Sequence, residues 1–391
     1  MMSNTKKEAK VLIAGDYCLT GRATKMSLEE LDMSFCEVKN VVSEADYAMV
    51  NLECAVFENA QKPIKKIGPN LHCDSKVLQN LKDVGFRCLA LANNHFADFG
   101  DDAVKESLSM IDGFGFDRVG AGMDVNQAQQ TLYVEINGLR LAVINCCEHE
   151  FTTAETSKAG CNPLDVIDQY NAIIDARKQA DFILMLIHGG SENYQLPTPR
   201  MQQTYRFFLE VGADVVVNCH QHCYSGYERY QGKMIFYGLG NFFFDSVREK
   251  NRSWNEGYML MLSFSDDVSF EILPYAQCTN EIGVRLFSME EKRQFESKID
   301  EMNATILNKS VLAESFSKWI SAHANDYYWV FRLPVSKWEK RFHRIRTIMK
   351  KDDKELCDFF LTQQRSLTLL SYARCESHRD VFVELLKRIV K

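Results

Sequence analysis

Several apolar runs in this chain end in residues that can hold a metal ion or move a proton. The sharpest is Ala213-Asp214-Val215-Val216-Val217-Asn218-Cys219-His220-Gln221-His222, a β-branched run that finishes in two histidines. Residues two apart point the same way in an extended backbone, so the run predicts both imidazoles aimed into one site. Other runs end in Gly15-Asp16, Asn51-Leu52-Glu53, Asn93-Asn94-His95 and His188-Gly189-Gly190. Asp16, Glu53, Asn94, His188, His220 and His222 together make a mixed nitrogen and oxygen donor set. Such a set suits Mn, Fe or Zn better than Ca or Mg. These donors are too many for one tetrahedral ion and match a pair sharing a carboxylate, so one or two divalent ions are expected. A two-metal site acidifies a bound water and clamps the attacking and leaving oxygens of an ester. His95 is then free to protonate a leaving group, with Asp98 three residues on to orient it.

Those residues need a scaffold, and the intervening text supplies one. Strands are predicted at 10–15, 47–53, 86–92, 181–187, across the stretch above and at 234–237. Helical spacing fills 74–84, 101–114, 163–180 and 198–211, with Gly85 and Gly212 as stops. Hairpins are predicted for 131–146, across Asn137-Gly138, and for 258–273, across Ser265-Asp266-Asp267. Alternating strands and helices predict an α/β class with a layered β-sheet core and flanking helices. Ligands in such sheets gather outside the carboxyl ends of the strands, where the candidate donors all stand.

Bulk properties narrow the function. With 46% hydrophobic and 25% charged residues, the 391-residue chain reads as globular. A net charge of −7 disfavours nucleic acid as partner, because phosphates call for a basic surface. No run approaches the ~20 apolar residues of a spanning helix, and the start lacks a signal-peptide core. The expected location is cytoplasmic, with peripheral attachment at the inner membrane face as a variant. The 13 cysteines are odd in number and include no Cys-x-x-Cys pair, so they read as reduced and mostly buried. Cys219 and Cys223 flank the histidines but are read as packing.

Taken in order, the motifs resemble the CapA family. They are Gly15-Asp16, Asn51-Leu52-Glu53, Asn93-Asn94-His95-x-x-Asp98-x-Gly100, His188-x-Gly190-x-Glu192, His220-x-His222 and Ile235-Phe236-Tyr237-Gly238-Leu239-Gly240-Asn241-Phe242-Phe243-Phe244-Asp245. That family comprises capsule and poly-γ-glutamate biosynthesis proteins with a calcineurin-like metallophosphatase fold, so the resemblance implies a four-layer architecture. It further implies that Asp16 and His222 hold a first metal, Glu53 bridges, and Asn94, His188 and His220 hold a second, with His95 as general acid. Three departures stand out. Cys18 occupies the place of a metallophosphatase histidine, Asn218-Cys219-His220-Gln221-His222 replaces the usual Gly-His-His-Pro-His, and Gly189 stands where tryptophan is common. With that one histidine ligand missing, the expectation extends to a weak or empty first site and a single-metal enzyme.

Each residue also has a plainer reading. Asn93 and Asn94 can cap a following helix. Glu192, Tyr194, Asn93 and Asn241 are candidate supporting or substrate contacts, with ordinary loop structure as the competing role. Gly238-Leu239-Gly240-Asn241 lacks the third glycine of a dinucleotide loop, and His188-Gly189-Gly190-Ser191 is no serine-hydrolase elbow. From 286 the text turns helical (290–307, 310–324, 335–350 and 354–391), which divides the chain into an 8–285 CapA-like domain and a 286–391 helical module. Within it Lys337, Lys340, Arg341, Arg344, Lys350 and Lys351 flank an apolar stripe of Trp338, Phe342, Ile345 and Met349. That stripe reads as a packed helix with a basic outer face, or as a membrane-docking one. The leading function is phosphoester hydrolysis by a metal-bound hydroxide in capsule or poly-γ-glutamate-type biosynthesis. The alternatives are a catalytically degenerate component that binds an anionic polymer or, through its tail, a membrane-associated synthase, and a γ-glutamyl amide hydrolase.

Overall fold

The computed structural model describes residues 7–246, 252–328 and 363–390. Two β-sheets stack face to face, each covered on its outer side by helices, which gives the expected four layers. In the first sheet Ala9–Cys18, Tyr47–Leu52, Cys88–Ala90 and Asp117–Val119 run parallel. Glu256–Phe264, Val268–Gln277 and Val284–Leu286 extend it antiparallel from the other side of Ala9–Cys18. In the second sheet Leu139–Cys147, Phe182–His188, Val215–Cys219 and Lys233–Phe236 run parallel. Its edges, Leu132–Ile136 and Tyr227–Tyr230, are antiparallel.

Parallel strands are covered on both faces, which is why these segments are apolar throughout. Val11, Ile13 and Met49 of the first sheet meet Val143, Leu184, Leu186, Val215 and Val217 of the second in one core. The alternate residues Leu12, Ala14 and Val50 face the helices Lys76–Val84 and Gly100–Phe114. Ile144, Met185 and Val216 face Val166–Arg177 and Pro199–Val211. Withdrawing each such aliphatic side chain from water contributes roughly 1.5–3 kcal/mol, so register is strongly set.

At two boundaries that differ from the sequence expectation, a polar side chain is involved. The helix expected from 163 starts at Val166, because the Asp165 carboxylate accepts the N–H groups of Ile167 and Asp168 and caps it there. The strand expected to reach 92 stops at Ala90: the Leu91 N–H is shared between the Val119 carbonyl and the Asn145 side-chain oxygen (2.9 and 3.0 Å), and the Ala92 N–H turns to Asn145 (2.8 Å). The Asn137-Gly138 hairpin forms with both residues at positive φ, as its turn type requires.

The C-terminal helices pack onto the core. Met289–Leu307 lays Phe295 on Tyr224 and Tyr258 (4.5 and 6.0 Å between ring centroids). Lys309–Tyr328, Gln363–Arg374 and Glu376–Val390 share a cluster of Phe316, Ile320, Tyr372, Val381 and Leu385 with Tyr194 of the core. The last expected stretch contains two helices, Gln363–Arg374 and Glu376–Val390; the basic stripe at 337–351 lies outside the described residues. No helix among the described residues is long and apolar enough to cross a membrane.

One buried ion pair ties the tail down. Glu148 accepts from Arg200 (2.6 Å) and from the Ser377 hydroxyl and N–H, while Arg200 also donates to Asp380 (2.7 Å). Burial pushes the Glu148 carboxyl up, but Arg200 and Ser377 overcome it and hold the group down to about 2. A depressed carboxyl gives stability that is complete above roughly pH 5 and drains as pH falls toward the folded value. Arg200→Ala leaves this carboxylate buried and unpaired, and is expected to lower unfolding free energy by about 3 kcal/mol at neutral pH. Urea melts read by C-terminal protease sensitivity check this, and an unchanged midpoint contradicts it.

Candidate metal centre

The carboxyl ends of the two parallel strand runs meet at one rim, and every expected donor arrives there. Asp16 does so through a β-bulge: the pairing register of its strand shifts at this residue against both neighbours. Bulges re-aim side chains. Gly15 makes the bend possible, since a Cβ there would stand 1.9 Å from the Gly240 carbonyl oxygen. Asn51 then holds the Asp16 carboxylate (2.7 Å) and stands 3.2 Å from the His188 ring.

The two histidines converge by a different route from the one the extended run predicts. The strand ends at Cys219, and His220 and His222 lie in the turn beyond it with φ of 97° and 55°. Positive φ in non-glycine residues is strained and persists only where surrounding contacts enforce it. Here the His220 N–H donates to Asp16 (3.2 Å), and Asn241 fixes His222 from both sides, through Nδ1 (2.9 Å) and the carbonyl (3.2 Å). The turn, not strand alternation, aims both imidazoles into the site.

Glu53 sits at the centre. Asp16, Glu53 and His222 present donor atoms within 4.8 Å of one another, and so do Glu53, His188 and His220. Asn94 joins the second group, its side-chain oxygen 3.0 Å from His188 Nε2, which is also 3.0 Å from His220 Nδ1. Glu53 thus belongs to both groups. Both of its oxygens are buried without a hydrogen-bond partner among the described residues, and its nearest imidazoles stand off at 3.5 and 3.8 Å. Buried carboxylates are paired or bind metal, so orphaned oxygens ringed by nitrogen and oxygen donors fit divalent cations.

The local electrostatics agree. Burial, then Glu53, lifts Asp16 to about 6, and burial lifts Glu53 to about 7. Burial depresses His188 to about 4 and His220 well below the imidazole range. For His222 burial is outweighed by Glu53 and Asp16, which raise it to about 9. The site therefore sets two buried carboxyls beside two neutral imidazoles, with only the His222 ring drawn toward its charged form.

Beside it stands a second constellation. His95 Nδ1 lies 2.7 Å from Asp98, as expected, and the buried Lys66 completes the set. The Lys66 ammonium pairs with Asp98 and reaches His95 Nδ1 (3.1 Å) and the Asn94 carbonyl (2.9 Å). Lys66 sits in a polar loop with no periodic signal, so sequence reasoning missed it. Lys66, Asn94, His95, Glu192 and His220 line a cavity of about 390 Å³.

The remaining candidates have other places. Asn93 staples the loop, donating to the Leu52 carbonyl and accepting from the N–H groups of His95 and Phe96. Tyr194 packs against Phe316 and Trp319 of the tail and does not line the cavity. Cys18 turns away into the helix-side core, 3.9 Å from Cys73, and so does not replace the missing histidine. At Gly189 a Cβ would stand 2.7 Å from Glu148 Cγ, so the anchor of the tail fills the space a tryptophan would need.

Glu53→Gln separates a metal role from a packing role by sign. In chelator-treated protein it removes a buried unpaired charge and is expected to leave the melting temperature unchanged or raised. In protein with metal at ~100 Kd, wild type gains about 2.7 kcal/mol that the variant lacks. Thermal melts with and without metal decide it; equal shifts in both proteins contradict the assignment.

With the geometry established, a family model and two sequence relatives place the chain. Residues 10–246 match the family model described as bacterial capsule synthesis protein PGA_cap. The chain is 30% identical over 222 residues to capsule biosynthesis protein CapA of Bacillus anthracis, covering 55% of this chain and 54% of that protein. It is 32% identical over 226 residues to PGA biosynthesis protein CapA of Bacillus subtilis, covering 56% and 59%. The match thus spans little more than half the length of these relatives. Among solved structures it is similar to the calcineurin-like phosphoesterase YfkN of Bacillus subtilis, at 10% identity and TM-score 0.43, covering 79% of this chain and 99% of that one. A putative 5'-nucleotidase from Staphylococcus aureus gives 13% identity and TM-score 0.43, covering 75% and 58%. The chain belongs to the PGA_cap family of bacterial capsule synthesis proteins, the family of CapA.

Proposed function

We propose that this protein is a metal-dependent phosphoester hydrolase that acts in the biosynthesis or processing of a capsule-type polymer. The observation that carries the reading is the Glu53 carboxylate, buried without a hydrogen-bond partner between two donor groups. Asp16, Glu53 and His222 would hold one divalent ion, and Glu53, Asn94, His188 and His220 a second. Bound there, Mn, Fe or Zn supplies an acidified water and neutralises charge on the phosphoryl oxygens.

The chain's own groups do the rest. Asp98 holds His95 by Nδ1, which leaves Nε2 to give its proton to the leaving oxygen. Burial, then the Lys66 charge, keeps His95 well below the ordinary imidazole range, so the free ring is neutral; it takes up from solvent the proton it later donates, when the charge of the bound anionic substrate favours the imidazolium. Lys66 presents a fixed positive charge to that anion. The substrate class that fits is a phosphoester, free or carried on an anionic polymer. The names of the Bacillus relatives motivate the capsule assignment.

Purified protein is expected to carry Mn, Fe or Zn and to hydrolyse p-nitrophenyl phosphate or its bis ester. His220→Ala should lose both metal and activity. His95→Asn should keep the metal while kcat falls by about 10²–10⁴. Metal-loaded protein inactive on both esters would overturn the phosphoesterase reading; cleavage of a γ-glutamyl amide by that same protein would put amide hydrolysis in its place.

A further inference from the structure

The C-terminal helices lie beyond the family-matched segment, yet they bring donor atoms to the same cavity. Cys375 is the single residue between helices Gln363–Arg374 and Glu376–Val390, and His378 sits in the first turn of the second. Glu150 comes from the loop after Leu139–Cys147. All three line the 390 Å³ cavity, and their sulfur, nitrogen and carboxylate oxygen lie within 4.8 Å of one another. We propose that Glu150, Cys375 and His378 form a further divalent-metal site, of the zinc class, on the C-terminal wall of the cavity.

Donor chemistry, geometry and charge carry it. The donor set is one sulfur, one nitrogen and one oxygen, which suits zinc, and three protein ligands on a cavity wall leave a position open to solvent or substrate. The Tyr327 hydroxyl holds His378 at Nδ1 (2.9 Å), while Nε2 stops 3.9 Å from the Glu150 carboxylate, too far for a hydrogen bond. An imidazole fixed by one nitrogen with the other facing an acid across a gap is the arrangement metal-binding histidines use. Charge also balances, since one carboxylate, one thiolate and a dication sum to zero. The nearby Glu148 accepts from the Cys375 thiol (3.6 Å) and opposes its ionisation, an effect that the Arg200 guanidinium on the same carboxylate reduces and that a bound dication has to overcome.

The other thiol cluster shows the contrast. Cys18, Cys54 and Cys73 also lie within 4.8 Å of one another, but they are sealed in the apolar core. Three thiolates around a dication would leave a net negative charge there. That cluster is packing. At Cys375 the thiol proton has an exit to solvent through the cavity when the metal–sulfur bond forms. A metal in this site would join the tail to the Glu150 loop and so couple tail docking to the shape of the cavity.

Cobalt(II) titration of the full chain tests the assignment without reference to activity. None of the donors assigned to the two groups around Glu53 is sulfur, so a sulfur-to-cobalt charge-transfer band isolates this site. The band is expected in wild type and in Cys73→Ser, and lost in Cys375→Ser. Bound metal should fall by about one ion per chain in Cys375→Ser and in His378→Ala. The second variant serves if the buried serine prevents folding. No band in wild type, a band that survives Cys375→Ser, or unchanged metal content in a folded variant would overturn the proposal.

Discussion

A carboxylate withdrawn from water without a partner is among the most unfavourable groups a fold can bury. Glu53 is such a group, and much of the surrounding architecture makes sense as the means of keeping it there. Two parallel strand runs from separate sheets place their carboxyl ends against it. Asp16 approaches through a bulge, His188 is the last residue of its strand, and His220 and His222 come from a strained turn. None of these makes a hydrogen bond to Glu53, and all of them face it. Burial raises the Glu53 carboxyl to about 7, and positive charge brought among these groups would favour its ionised form.

Strain and close approach are concentrated at the same rim. The bulge at Asp16 depends on a glycine pressed against the Gly240 carbonyl, and the positive φ of His220 and His222 depends on bonds to Asp16 and Asn241. Each such backbone excursion costs about 1–3 kcal/mol, offset by the apolar packing of the two sheets beneath. Rigid strands below and constrained turns above are what hold donor atoms in place before any ligand arrives.

The tail changes how the site is enclosed. Its helices share a hydrophobic cluster with Tyr194, anchor to Glu148 through Ser377, and are bridged to Arg200 through Asp380. Trp319, His323 and His378 then line the cavity that His95 and His220 line from the core side. A smaller residue at 189 and a buried acid at 148 go together, since the acid occupies the volume a larger side chain would take.

The chain by itself determined the strands, most helices and which residues gather at the candidate metal centre, because these rest on local signals. Apolar runs mark buried parallel strands, and a polar residue at the end of such a run has little reason to be there except function. The long-range decisions were different in kind. That Asn145 takes N–H groups at the end of a strand of the other sheet, that Lys66 joins His95 and Asp98, and that Tyr194 serves the tail follow from contacts between residues far apart in sequence. The histidine pair shows the limit most clearly. Its residues were legible, but their shared direction comes from a turn whose φ values are imposed by Asp16 and Asn241. Local text specifies which side chains exist at a strand end; only packing of distant segments sets where they point, because that direction is fixed by partners the local chain does not contain.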